Sequence, residues 1–166
     1  MKIKKKIPLI DQHDKNYLYG KKFGGNYVPE TLKKPVEDLT ILFEKLRRDK
    51  KFIKERDYYY TNWVHKGPTP FIKLENLTKY LGGAQVWAKV VSEARGGAHK
   101  IYGAITAAML CKAMGKKFLV TDTGAGYNGK MFSIAGKHFG LKVKVFMGFK
   151  DILRQKPNCD AMKANG

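Results

Sequence analysis

Apolar and polar positions follow two different periods along this chain. Through residues 31–50, apolar residues recur at helical spacing, at Leu39, Leu42, Phe43 and Leu46, and a helix is predicted there. A second helix is predicted over residues 51–63, with Tyr58, Tyr59 and Tyr60 near its end. Gly67-Pro68-Thr69-Pro70 breaks helix and directs the backbone into an extended entry to the next element. A short helix over residues 75–81 then stops at Gly82-Gly83. Beyond it, strand and helix patterns alternate. Residues 85–91, 117–120 and 141–147 read as strands; residues 98–114 and 128–139 read as helices stopped by Gly115 and Gly140. A last helix is predicted over residues 151–164, with Gly166 as its C-terminal glycine. Short strand–helix–strand connections imply three parallel strands joined by right-handed crossovers. The fold class expected is α/β, a parallel sheet with a helical N-terminal extension. Residues 1–20 read as a loose basic segment, and residues 21–30 as a glycine- and proline-bearing loop opening a unit that spans 21–166. Three strands make a small sheet, and sites in open α/β sheets use both sides of a switch point. The pattern therefore reads as an incomplete domain.

Composition changes this picture little. The 166 residues suit one domain or part of one, and a hydrophobic fraction of 43% permits a core. The net charge is +19, from 33 basic and 14 acidic residues, an excess that attracts anions in general. The basic residues are spread out, apart from Lys2-Ile3-Lys4-Lys5-Lys6 and Lys45-Leu46-Arg47-Arg48-Asp49-Lys50-Lys51. No nucleic-acid module accompanies them, so a solvated lysine-rich surface is the simpler account and no specific nucleic acid is expected. Cys111 sits in an apolar helical run and reads as a buried thiol; neither it nor Cys159 has metal-ligand spacing, and no metal is expected. There is no signal-peptide pattern and no run long enough to cross a bilayer, which points to a cytoplasmic protein without membrane contact.

Candidate chemistry concentrates in two places. Gly96-Gly97-Ala98-His99-Lys100 puts a lysine just inside the start of a helix. A helix start gathers unpaired N–H groups and the positive end of the dipole, surroundings that favour a neutral amine. The neutral amine is the imine-forming nucleophile. After the next strand, Asp122-Thr123-Gly124-Ala125-Gly126 makes a turn whose N–H groups can hold an anion. Together they suggest a pyridoxal phosphate site with a place for an amino-acid carboxylate. Plainer accounts stand beside this one. Lys100 can be a solvated first-turn lysine, His99 a packing histidine, and Asp122 a turn or N-cap residue. Gly124-Ala125-Gly126-Tyr127-Asn128-Gly129 also matches G-x-G-x-x-G, with Asp151 downstream, a dinucleotide-binding pattern. Against that, Thr121-Asp122-Thr123 separates the apolar strand from the glycines, and a carboxylate beside a pyrophosphate is unfavourable.

The chain resembles the β-subunit family of tryptophan synthases. Phe23-Gly24-Gly25-Asn26-Tyr27-Val28-Pro29-Glu30-Thr31-Leu32 is similar to that family's N-terminal signature. Gly67-Pro68-Thr69-Pro70, Gly97-Ala98-His99-Lys100, Thr123-Gly124-Ala125-Gly126 and Met147-Gly148 come in the family's order, and Arg154-Gln155, Asn158 and Met162 match its next helix. The resemblance covers residues 21–166. It implies the fold of type II pyridoxal phosphate enzymes, truncated before the downstream half, and a lyase that condenses L-serine with indole to give L-tryptophan. It implies that Lys100 holds the cofactor and later moves the substrate α-proton, that His99 lies near the cofactor phosphate, and that Asp122 stands for the catalytic glutamate. Thr123, Gly124, Ala125, Gly126, Tyr127 and Asn128 would receive the substrate carboxylate. An α subunit and a second β chain are the partners implied.

The departures also matter. Asp122 is one methylene shorter than the family's glutamate, Tyr127-Asn128 stands where the family has Gln-His, and Tyr102 replaces an asparagine expected near the cofactor ring. Residues 90–95 replace an Arg-Glu-Asp-rich stretch. The family's glycine-rich phosphate loop lies beyond residue 166. The resemblance therefore implies weak or absent synthase activity in these 166 residues, and the alternatives are a non-catalytic fragment or a binding or assembly module.

Overall fold

The computed structural model of the protein describes residues 7–166. The basic run at Lys2–Lys6 lies outside the described residues. The chain divides into two compact units, Met1–Ile41 and Leu42–Gly166.

The described part of the first unit holds a single 3-10 turn, Leu9–Asp11, and a two-stranded antiparallel hairpin of β1 (Leu18–Tyr19) and β2 (Phe23–Gly24). The Asp14 carboxylate organises the approach to it, accepting from the N–H groups of Asn16 and Leu18 at 2.8 and 2.9 Å. Between residues 14 and 18 a side-chain turn thus takes up backbone donors that would otherwise bond to solvent. Helix α1 (Glu30–Leu46) comes next and runs across the junction between the units.

In the second unit, α2 (Lys50–Tyr58) starts at Asp49, whose carboxylate accepts from the N–H groups of Lys51 and Phe52. These two bonds hold the Asp49 carboxyl below its ordinary range. The helix ends in one wider turn, Tyr59–Trp63, closed by the Val64 N–H donating to the Tyr59 carbonyl at 2.9 Å. Strand β3 (Phe71–Lys73), helix α3 (Glu75–Leu81) and strand β4 (Trp87–Lys89) form a separate antiparallel pair, with Phe71 opposite Lys89 and Lys73 opposite Trp87. This corrects the expectation of three parallel strands. Pro70 delivers Phe71 already extended, the Phe71 and Trp87 rings stack at 5.1 Å, and bonds from Val90 N–H to the Pro70 carbonyl and Leu74 N–H to the Val86 carbonyl close the pair. A local partner thus satisfies β4, and it does not join the other sheet.

The parallel sheet consists of β5 (Phe118–Thr123) and β6 (Lys142–Met147), in register from Phe118↔Lys142 to Thr123↔Met147. Helices α4 (Lys100–Ala113) and α5 (Tyr127–Phe139) pack on each other and on this sheet. The core lies there: Ile101, Ala104, Ile105, Ala108, Met131 and Ala135 are all 0% exposed. The small residues of α4 let α5 approach closely, and burying each larger side chain contributes about 1.5–3 kcal/mol. Leu119 and Thr123 face this core, while Phe118, Val120 and Asp122 alternate onto the exposed face of β5. Cys111 is buried as expected, and burial pushes its thiol up from the usual value.

After β6 come α6 (Phe149–Arg154) and α7 (Lys156–Ala164), where the sequence pattern predicts one helix over 151–164. The break is at Gln155 (φ −111°, ψ 33°), and Pro157 sits in the first turn of α7. A proline lacks the N–H that an uninterrupted helix would need and suits a first turn instead. Among the described residues, no helix is long and apolar enough to cross a membrane.

Candidate functional site

Helix α4 carries Lys100 as its first residue. Two short 3-10 turns, Val91–Glu93 and Arg95–Gly97, lead into extended Ala98 and then into His99, which occupies the N-cap position without a side-chain cap bond. Ile101 is fully buried, so the backbone beside Lys100 is anchored in the core while the lysine itself is exposed. The helix begins at residue 100 rather than at the predicted 98, which brings Lys100 to the very start of the turn.

Strand β5 ends at Asp122 and Thr123, and the chain turns through Gly124, Ala125 and Gly126 into α5. Gly126 adopts φ +87°, a left-handed conformation that side chains other than glycine's rarely tolerate. It is the N-cap of α5 and brings no side chain to that helix end, so the first-turn N–H groups stay available. Asn128 fixes the turn from behind. Its Nδ2 donates to Thr121 Oγ1 at 2.7 Å and to the Asp122 carbonyl at 2.9 Å, tying the start of α5 to the end of β5. Asp122 is therefore a strand residue with an exposed side chain, not the cap of α5.

These elements line an open cavity of about 290 Å³ walled by Lys100, Asp122, Thr123, Gly124, Ala125, Tyr127 and Asn128. One amine, one carboxylate and a glycine turn thus share a concave space, although a whole helix and strand separate Lys100 from Asp122 in the chain. Gly126 is buried and, like His99, lies outside the wall. The Tyr102 side chain is also outside it: its ring packs edge-on against Tyr60 at 5.1 Å, which leaves the cavity clear of its bulk.

Two residues that the sequence pattern gives no role in the site support the turn. Thr121 accepts from Asn128, and Asn158 on α7 donates through Nδ2 to the Ala125 carbonyl at 2.8 Å. The second contact joins residues 33 positions apart, and no local pattern announces it. Close packing of α5 on its neighbours adds to the same support. A Cβ at Gly129 would lie 2.7 Å from Val145 Cγ1 and would meet the Met162 sulfur, so glycine there lets α5 sit down on β6 and α7.

Residues 63–166 match the family model described as pyridoxal-phosphate dependent enzyme. The chain is 40% identical over 148 residues to the tryptophan synthase beta chain of Leptospira biflexa serovar Patoc, in both the Ames and the Paris strains. That match takes in 89% of this chain and 37% of the relative's length. A lysine at a helix start and a glycine turn at a helix end, both lining one cavity, thus fall within the matched residues. The chain belongs to the pyridoxal-phosphate dependent enzyme family.

Proposed function

We propose that this chain carries the lysine and carboxylate-binding half of a pyridoxal phosphate site of the tryptophan synthase β type, whose reaction joins L-serine and indole into L-tryptophan and water. The observation carrying this reading is the single cavity that Lys100 shares with the 122–128 turn. The 40% identity to tryptophan synthase beta chains supports the choice of reaction.

The residues present fit the cofactor at Lys100, a primary amine at the cavity wall, and fit its amino-acid substrate at the glycine turn, whose backbone donors belong to the same wall. When bound, the cofactor supplies an electron sink for the substrate carbon. Lys100 Nζ is the amine that would hold it, and once the substrate amino group has displaced that nitrogen it would hold or return the proton of the substrate α-carbon. The turn from Thr123 to Asn128 receives the amino-acid carboxylate through N–H groups and the positive end of α5. The Asp122 carboxyl delivers a proton to the departing serine hydroxyl and accepts one from the incoming indole. His99, adjoining Lys100, is assigned to the phosphate end. Cytoplasmic placement, an α subunit and a second β chain belong to the same reading.

Lys100 is the one cationic side chain in the cavity wall among the described residues. A phosphate dianion needs several donors, so the 166 residues alone are expected to give little or no turnover. Two measurements test the reading. Titrating the chain with L-serine in the presence of pyridoxal phosphate is expected to perturb the backbone amides of residues 123–128; the absence of any perturbation overturns the carboxylate assignment. Tryptophan formation from L-serine and indole is expected near background, and robust turnover overturns the low-activity assignment.

A further inference from the structure

The 123–126 turn is gripped from outside the cavity by one side chain. Asn158, on α7, donates from Nδ2 to the Ala125 carbonyl at 2.8 Å, and its Cβ fills the space beside Gly126, where an added methyl would come within 2.6 Å. Its amide is itself steadied by a longer contact to Gln155 Oε1 at 3.4 Å. A peptide unit is planar and trans, so its C=O and N–H point in opposite directions. With the Ala125 carbonyl held toward α7, the N–H of Gly126 is aimed away from α7. In a left-handed turn of this kind, a peptide with no such tether can rotate, because glycine resists few values of φ.

We infer that Asn158 is a positioning residue for carboxylate recognition. Gly126 itself lies outside the cavity wall, so by fixing the Ala125–Gly126 peptide Asn158 sets the backbone of Gly124 and Ala125, which do line the wall, and with it how the turn presents its N–H groups to a bound amino-acid carboxylate. The inference rests on the carboxylate reading proposed under the previous heading. It adds a specific dependence: a residue outside the cavity, on a helix remote in sequence from Lys100, sets how tightly the turn holds an anion. Asn158 touches neither ligand nor reacting atoms. Its effect passes entirely through the backbone of Ala125 and Gly126.

Two variants of nearly the same shape separate this role from packing. Asn158→Asp replaces the donor by an acceptor facing the Ala125 carbonyl, and Asn158→Leu removes the donor and keeps the bulk. Both are compared with the parent, as the full 166-residue chain, by amide NMR with L-serine and pyridoxal phosphate added, beside a thermal melt. The expected result is displacement of the Gly124 and Gly126 amide resonances in both variants before any ligand is added. L-serine affinity is then expected to fall by about ten-fold, the usual size of one lost charge-assisted hydrogen bond. Asn158→Gln, which keeps the donor, is expected to recover part of the affinity, a rescue that loss of packing alone would not produce. Parent-like serine binding in Asn158→Asp and Asn158→Leu overturns the positioning role and leaves the carboxylate reading intact. A parent chain that does not respond to L-serine overturns both. Should Asn158→Asp fail to fold, Asn158→Leu decides the matter by the same readout.

Discussion

Gly126 and Gly124 lie two residues apart in one turn, yet replacing them by alanine has very unequal expected consequences. At Gly126, φ is +87°, and an L side chain in the left-handed region costs about 1–2 kcal/mol. The new Cβ would also fall 2.6 Å from Asn158 Cβ and 3.1 Å from its Nδ2. Something must shift, and the bond from Asn158 to the Ala125 carbonyl is the contact most exposed to that shift. Losing it adds about 0.5–1.5 kcal/mol. The reduced freedom of the unfolded chain returns about 0.4–1 kcal/mol. Gly126→Ala is therefore expected to destabilise the protein by about 2 kcal/mol. A Cβ at Gly124 meets nothing within 4 Å and its φ is not left-handed, so Gly124→Ala is expected to lie within about 0.5 kcal/mol of the parent. Urea unfolding followed by circular dichroism, with parent and variant slopes compared, gives both values. In an Asn158→Gly background the clash is absent, and the cost of Gly126→Ala should drop toward the backbone contribution alone. Equal effects at 124 and 126, or no relief in that background, would refute the described turn geometry.

Other expectations come from the core, the turn and the aromatic cluster. Ile105→Ala empties a fully buried position and is expected to cost about 2–5 kcal/mol in the same unfolding assay, whereas Phe146→Ala, at a position 65% exposed on the open sheet face, should cost far less. Asn128→Leu removes both bonds that tie α5 to the end of β5; a loss of about 1–2 kcal/mol is expected, and an unchanged midpoint would show that those bonds contribute nothing. His138, packed against Tyr59, Trp63 and Phe139, has its affinity for a proton lowered by burial and then by the Arg95 charge. Its folded value lies below the ordinary 6.5, so the unfolded chain binds the proton more readily. Stability from this group is present above pH 6.5 and is lost as pH falls through the folded value, and the slope of unfolding free energy against pH should be shallower in His138→Gln.

Much of the second unit can be read directly from residue order. The α4 stripe of Ile101, Ala104, Ile105 and Ala108 is the buried face, because those spacings share one side of a helix and α5 is there to cover it. Gly82 ends α3 and Gly140 ends α5, both with positive φ as a C-terminal glycine requires. Strand partnership is less legible. Residues 85–91 form a mostly apolar stretch that fits a parallel or an antiparallel neighbour, and only contact with Phe71-Ile72-Lys73 decides between them. Pro157 does carry the signal for the break between α6 and α7, since a proline two residues into a helix marks its beginning. For the site, the meeting of Lys100 with the 122–128 turn is a consequence of strand–helix order, which brings a helix start and a strand end to the same edge. The roles of Thr121 and Asn158 are not, because a hydrogen bond across 33 residues depends on how α7 lies against α5.

The proposed site depends on Lys100 as the amine that takes up pyridoxal phosphate. The most direct test is the absorbance of the 166-residue chain on addition of the cofactor, with Lys100→Ala alongside. The prediction is a new imine band near the edge of the visible range in the parent, removed in Lys100→Ala, with borohydride reduction fixing the cofactor's mass on the peptide containing residue 100. A band of equal strength in both proteins, or fixation at any other of the chain's lysines, would contradict it.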